Sequence, residues 1–196
     1  MIHKLRTRVN IDDLHSYYHT VVNEYRHLCW VKENELSTTN SKWHSNEMVD
    51  GLLGWGIDTN LDDINSPSPP YNISTKSKSS TYRNTVLAFG VIKELQSIFP
   101  FGYRWAISVL KPGGYVSKHV DNQDNLTVWI PIYAPENSGL VMYDGDNEID
   151  NHLSADGSLY LVDTKIAHRT YNNDSSNRVL LSFRFLVEHL DEVMSK

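Results

Sequence analysis

The sequence predicts a mostly β fold with supporting helices, and three observations lead there. From Tyr103 onward, short apolar runs alternate with a period of two and are parted by glycine-, asparagine- and aspartate-containing turns. Before residue 100, two segments repeat apolar residues at three- and four-residue steps. No helical crossover interrupts the later strands, so they are expected to pair antiparallel, as a sandwich or barrel. At 196 residues the chain suits a single domain, 1–196. Residues 1–100 then give helical support and loop or lid segments, and residues 101–188 the β core.

Taken in order, Asp12 or Asp13 caps a first helix running to about Trp30. Its stripe is Leu14, Tyr17, Tyr18, Val21, Val22, Tyr25 and Leu28. His15 and His19 lie four apart on it but have no acidic partner in a recognisable motif, so they read as surface or partly buried helix histidines. The segment Gly51-Leu-Leu-Gly-Trp-Gly56 lacks the dinucleotide fingerprint and reads as a turn and a short strand. The loop from Asn65 to Tyr82 has no apolar pattern, and two readings stand: a lid over a site, or a surface excursion. Asn84 caps a second helix reaching about Phe99, where Pro100 ends it.

Tyr103 to Leu110 then forms a strand, and Lys111-Pro-Gly-Gly114 a turn. Further strands follow at 115–119, 126–133, 139–143, 158–162 and 178–186. A jelly roll of the cupin kind fits that count.

The net charge of −6 gives no long-range field for nucleic acid, although Lys76 and Lys78 could make a local basic patch. Cys29 is the sole cysteine, so no intrachain disulfide can form. The basic N-terminus lacks an apolar stretch behind it, and no apolar run reaches spanning length. The expectation is a soluble cytoplasmic protein that binds no membrane.

The chemistry concentrates around His119. His119 and Asp121 are two apart in a strand, so their side chains leave the same face. His168 follows, and Arg178 opens the last strand. His-x-Asp alone is weak: His189-Leu190-Asp191 matches too, but has no later histidine. Two imidazoles and a carboxylate, without thiolate, suit Fe(II) better than structural zinc and leave half of an octahedron open. A 2-oxo acid fills two of the open positions and O2 the third. Arg178 is then the candidate cation for the far carboxylate of 2-oxoglutarate, against the plainer readings of His119 as a surface strand residue and Arg178 as a solvated ion-pair partner.

These residues sit in an ordered set. It comprises Leu110-Lys-Pro-Gly-Gly-Tyr-Val-Ser-Lys-His119-Val-Asp121, Val128-Trp-Ile-Pro-Ile, Gly157-Ser-Leu-Tyr-Leu-Val-Asp163, His168 with Asn172, and Arg178-Val-Leu-Leu. The set resembles the aspartyl/asparaginyl β-hydroxylase-like family of 2-oxoglutarate/Fe(II)-dependent oxygenases, which includes prolyl and free-proline hydroxylases. The resemblance implies a double-stranded β-helix, another name for the jelly-roll core. It implies iron on His119, Asp121 and His168, 2-oxoglutarate on Arg178, and hydroxylation of a C–H bond of an amino acid or protein side chain. The family commonly carries Arg-x-His where this chain has Thr127-Val128-Trp129. Thr127 and Trp129 share a face and are expected to line the cosubstrate pocket. The expected partner is a small molecule or a peptide or protein substrate. Two other classes stay open: a cupin-type metal-dependent isomerase or hydrolase, and a non-catalytic jelly-roll binding module.

Overall fold

The computed structural model describes residues 1–29, 49–59, 82–121 and 124–196. Most of the Asn65 to Tyr82 loop, with Lys76 and Lys78, lies outside the described residues.

Eleven strands and three α-helices are described, and the strands dominate. Nine strands form one curled antiparallel sheet, in the order β1 (Ile2–Arg8), β9 (Ser158–Val162), β6 (Asn125–Tyr133), β11 (Arg178–Leu186), β5 (Tyr103–His119), β10 (His168–Asn172), β7 (Ser138–Asp144) and β8 (Asn147–Asn151). The ninth, β2 (Val49–Gly56), pairs with β5. The architecture is a jelly-roll core with helices packed on one face. Residues before 101 supply β1 and β2 to this sheet as well as helices.

β5 holds the sheet together. Its first half pairs with β11 through Leu110↔Arg178, and its second half pairs with β10 through Tyr115↔Tyr171. Lys111 to Gly114 is therefore a corner inside one 17-residue strand, and not the predicted turn between two strands. Gly113 takes the left-handed backbone there, at φ 74°, and the register against β2 slips across the same corner.

Both helices differ from their predicted spans. In α1 (Ile11–Glu24) the cap is Asn10, whose side chain accepts from the Asp12 amide at 2.9 Å. Asp12 and Asp13 instead occupy the first turn, where a carboxylate meets the positive end of the helix dipole. One 3-10 turn, Arg26–Leu28, follows α1. The second helix, α2, spans only Val91–Ile98. Arg83–Asn84 (β4) pairs with Asp58–Thr59 (β3), so Asn84 is a strand residue and caps nothing. Thr85 explains the delay: its hydroxyl bonds the Ile57 carbonyl at 2.8 Å and accepts from the Leu87 amide at 3.2 Å, holding the chain in a local turn.

The helices bury Leu14, Tyr17, Val21, Ile92 and Leu95 against Trp105, Ile107, Val128, Ile130, Leu181 and Phe183 of the sheet. A smaller cluster on the opposite face contains Trp129, Leu140, Met142, Tyr160, Val162 and Leu180. α3 (Leu190–Met194) closes the chain. Among the described residues no helix is long and apolar enough to cross a membrane.

The junction between β1 and β9 is sterically tight. Gly157 adopts φ +81°, and a Cβ there would stand 2.1 Å from the Val9 carbonyl oxygen. Its own carbonyl accepts from the Val9 amide at 2.9 Å. Gly157→Ala should cost about 2–4 kcal/mol, through the strained backbone and the clash together. Urea denaturation would measure this, and a cost below ~0.5 kcal/mol would contradict the packing described.

Candidate metal centre

The strand period sorts the residues of three adjacent strands into two functions. On β5, Trp105, Ile107 and Val109 join the helix-covered core, while Ala106, Ser108 and Leu110 face a cavity. On β6 the split is Val128 and Ile130 against Thr127 and Trp129. On β11 it is Val179, Leu181, Phe183 and Phe185 against Arg178, Leu180, Ser182 and Arg184. Small side chains at Ala106, Ser108 and Ser182 leave room for a cavity of about 150 Å³.

The three candidate ligands converge at this cavity. His119 ends β5 and His168 begins β10, and the two are direct cross-strand partners. Their ring centroids are 4.3 Å apart at an interplanar angle of 52°. Asp121 lies just past β5, where its amide donates to the Thr164 carbonyl at 2.9 Å. One donor atom from each of His119, Asp121 and His168 lies within 4.8 Å of the others. Within that set His119 Nε2 and Asp121 Oδ1 are 3.7 Å apart. Cis ligands at ordinary metal–nitrogen and metal–oxygen lengths stand roughly 3 Å apart, so small side-chain rotations would bring these atoms onto one cation.

The imidazoles are already in the tautomer that coordination needs. His119 Nδ1 donates to the Ser117 carbonyl at 2.7 Å, and His168 Nδ1 to the Ile166 carbonyl at 2.9 Å. A carbonyl can only accept, so Nδ1 carries a proton in both rings and coordination of a metal would fall to Nε2. Burial pushes the His168 pKa down, and the neighbouring His119 adds to this; the Ile166 carbonyl and Asp121 oppose it. Burial alone would raise the pKa of Asp121, but Arg184, His168, His119 and Thr164 outweigh it and hold the carboxyl below its usual range. The site therefore favours a neutral His168 ring and an ionised Asp121, and with His119 these residues make up the two-histidine, one-carboxylate donor set of a facial metal centre.

Arg178 faces the same cavity. It is 7 % exposed, and no described residue provides a carboxylate within ion-pair reach. Burial pushes its pKa down to about 10, with Tyr171 pulling weakly the other way. Asn172 anchors its approach, donating to the Leu110 and Ser176 carbonyls at 2.8 Å each. Trp129 neighbours both the cation and one histidine, its ring centroid 5.7 Å from the Arg178 guanidinium carbon and 6.5 Å from the His168 ring. Thr127 lines the cavity too, with its hydroxyl 3.3 Å from that of Thr164.

Sequence reasoning missed Arg184. Its Nη2 donates to Asp121 Oδ2 at 3.0 Å, across 63 positions of sequence. The only available signal was the inward parity of β11, which Arg184 shares with Arg178. The two helix histidines lie where the helical period puts them, His15 half-buried with Nε2 2.9 Å from the Ile132 carbonyl and His19 exposed with Nε2 3.1 Å from the Tyr133 hydroxyl.

Among solved structures, a Pseudomonas putida prolyl-4-hydroxylase aligns with a TM-score of 0.51 at 10% identity, covering 94% of this chain and 91% of that one. It shares the fold. A non-heme monooxygenase, the ThoJ–Ni complex, aligns with a TM-score of 0.36 at 16% identity, over 43% of each chain. The non-heme alpha-ketoglutarate dependent epimerase SnoN aligns with a TM-score of 0.38 at 14% identity, over 43% of this chain and 46% of that one. This chain thus spans less than half the length of either of these two proteins. No curated protein is similar enough in sequence to count as a relative. Residues 74–187, more than half of the chain, match the aspartyl/asparaginyl beta-hydroxylase family, a span that includes β5 to β11 and holds every cavity-lining residue except Leu52, and it is to this family of oxygenases that the chain belongs.

Proposed function

We propose that the protein is an Fe(II)- and 2-oxoglutarate-dependent dioxygenase that hydroxylates a C–H bond of an amino acid, free or within a peptide or protein. The observation that carries this reading is Arg178. A buried guanidinium without an acidic partner is costly, and here it faces the cavity that also holds a two-histidine, one-carboxylate set. An anion in that cavity would repay the cost, and a dicarboxylate would reach both the fork and the metal.

In this reading His119 Nε2, His168 Nε2 and Asp121 Oδ1 hold the iron on one side. The Ser117 and Ile166 carbonyls keep the rings oriented by accepting their Nδ1 protons. Arg178 binds the distal carboxylate of 2-oxoglutarate through two parallel N–H donors. Trp129 and Leu180 form an apolar wall that keeps water from the reacting atoms, and Thr127 offers a hydroxyl at its edge. Ferrous iron so held supplies the oxidation: 2-oxoglutarate and O2 give succinate and CO2, and the second oxygen atom enters the substrate C–H bond.

Protein supplied with Fe(II) and 2-oxoglutarate under air should release succinate, and an amino acid or short peptide should stimulate that release. Succinate no higher than in an enzyme-free control, across a screen of such substrates, would end the proposal. A cupin-type isomerase or a binding module would behave in that way.

A further inference from the structure

β11 places two arginines on the same face of the cavity, and their circumstances differ. Arg178 has no acidic partner among the described residues, whereas Arg184 is bound to Asp121. We propose that Arg184 is a positioning residue that confines Asp121 to one-oxygen coordination of the metal. The proposal rests on the metal-centre reading above and concerns a residue that touches none of the reacting atoms.

The geometry divides the carboxylate. Oδ2 accepts from Arg184 Nη2 at 3.0 Å, while Oδ1 faces His119 Nε2 at 3.7 Å. Both partners are largely shielded, with side chains 20% and 17% exposed, so this is no solvated surface pair. Arg184 is also held firmly, because its chain neighbours Phe183 and Phe185 are fully buried in the helix-covered core. Asp121, by contrast, lies beyond the end of β5; its amide bond to Thr164 fixes the backbone, and the Thr164 side chain also hydrogen-bonds the carboxylate. The rigid charged donor on Oδ2, together with Thr164, fixes the rotation of the carboxylate, and because Oδ2 is engaged by Arg184 it is Oδ1 that turns to the cation, so the positions opposite the protein stay open for ligands.

Charge alone predicts the reverse effect. A guanidinium beside a metal ligand repels a divalent ion, so removing it should tighten metal binding if electrostatics dominated. The sign of the change therefore decides between a positioning role and a merely electrostatic one.

The test uses metal-stripped protein titrated with Co(II), read by its visible absorption bands and by competition for the metal. Arg184→Met should bind Co(II) roughly 10–100-fold more weakly and with altered bands, as expected when a support for a ligand is lost. Arg184→Lys, which keeps the charge and one donor, should fall between Met and wild type. Unchanged or tighter binding in Arg184→Met, with wild-type bands, overturns the proposal. If Arg184→Met does not fold, as judged by circular dichroism, Arg184→Lys decides alone: weaker binding supports the role and wild-type affinity overturns it. A wild-type protein that fails to bind Co(II) overturns the metal-centre reading itself, and this proposal with it.

Discussion

His168→Ala is expected to abolish stoichiometric metal binding and to lower substrate-stimulated succinate release by at least about a thousandfold. His168 is the most buried of the three candidate ligands, at 2 % exposure, and its Nε2 is kept free by the Nδ1 bond to Ile166. Alanine removes a third of the donor set and cannot be replaced by a neighbour, since no other group of three or more such donors is found among the described residues. His119→Ala should behave alike, because the two rings are cross-strand partners with equivalent carbonyl supports. Metal analysis of protein purified without chelators, together with circular dichroism, separates loss of the ligand from loss of the fold. Full metal occupancy in a folded His168→Ala protein would remove the residue from its assigned place.

Arg178→Met should move stability and function in opposite directions. A buried charge without a counter-ion costs several kcal/mol, and methionine has similar length without that cost. The substitution is therefore expected to stabilise the 2-oxoglutarate-free protein by about 1–3 kcal/mol. If Arg178 holds the cosubstrate as proposed, the same change removes two charge-assisted hydrogen bonds to it, so the 2-oxoglutarate concentration needed for half-maximal rate should rise by about a hundredfold or more. Thermal unfolding with and without 2-oxoglutarate provides the check. Wild type should gain stability from the ligand, and Arg178→Met should gain almost none. If ligand stabilisation is equal in both proteins, Arg178 does not hold the cosubstrate.

The sequence disclosed the fold where side chains are sorted by water. β6, β9 and β11 were recognisable because their core-facing positions, such as Val128, Leu161 and Leu181, are apolar. β10 escaped recognition for the opposite reason: its buried positions are His168, Thr170 and Asn172, so no apolar period exists to read. Helix ends were misplaced where a local hydrogen bond competed with helix formation, as Thr85 does before α2. The corner at Lys111 to Gly114 looked like a reversal because proline and glycine mark bends of every angle. His119, Asp121 and Arg178 could be marked in the sequence by residue type and order. Arg184 could not, since its partner is chosen by the pairing of β11 with β5 and β6, which only the folded chain defines.

The alternation along β11 also limits how this chain can vary. Between Arg178 and Arg184, one parity supplies the cavity and the other the helix-covered interior. A single inserted or deleted residue in that stretch, unless taken up by a bulge of the kind already present where β11 meets β5 and β6, would turn the phenylalanines toward the cavity and an arginine toward the apolar interior. Residues along β11 can therefore be exchanged one for one, whereas an odd change of length that no bulge absorbs would disturb the cavity and the interior in the same event.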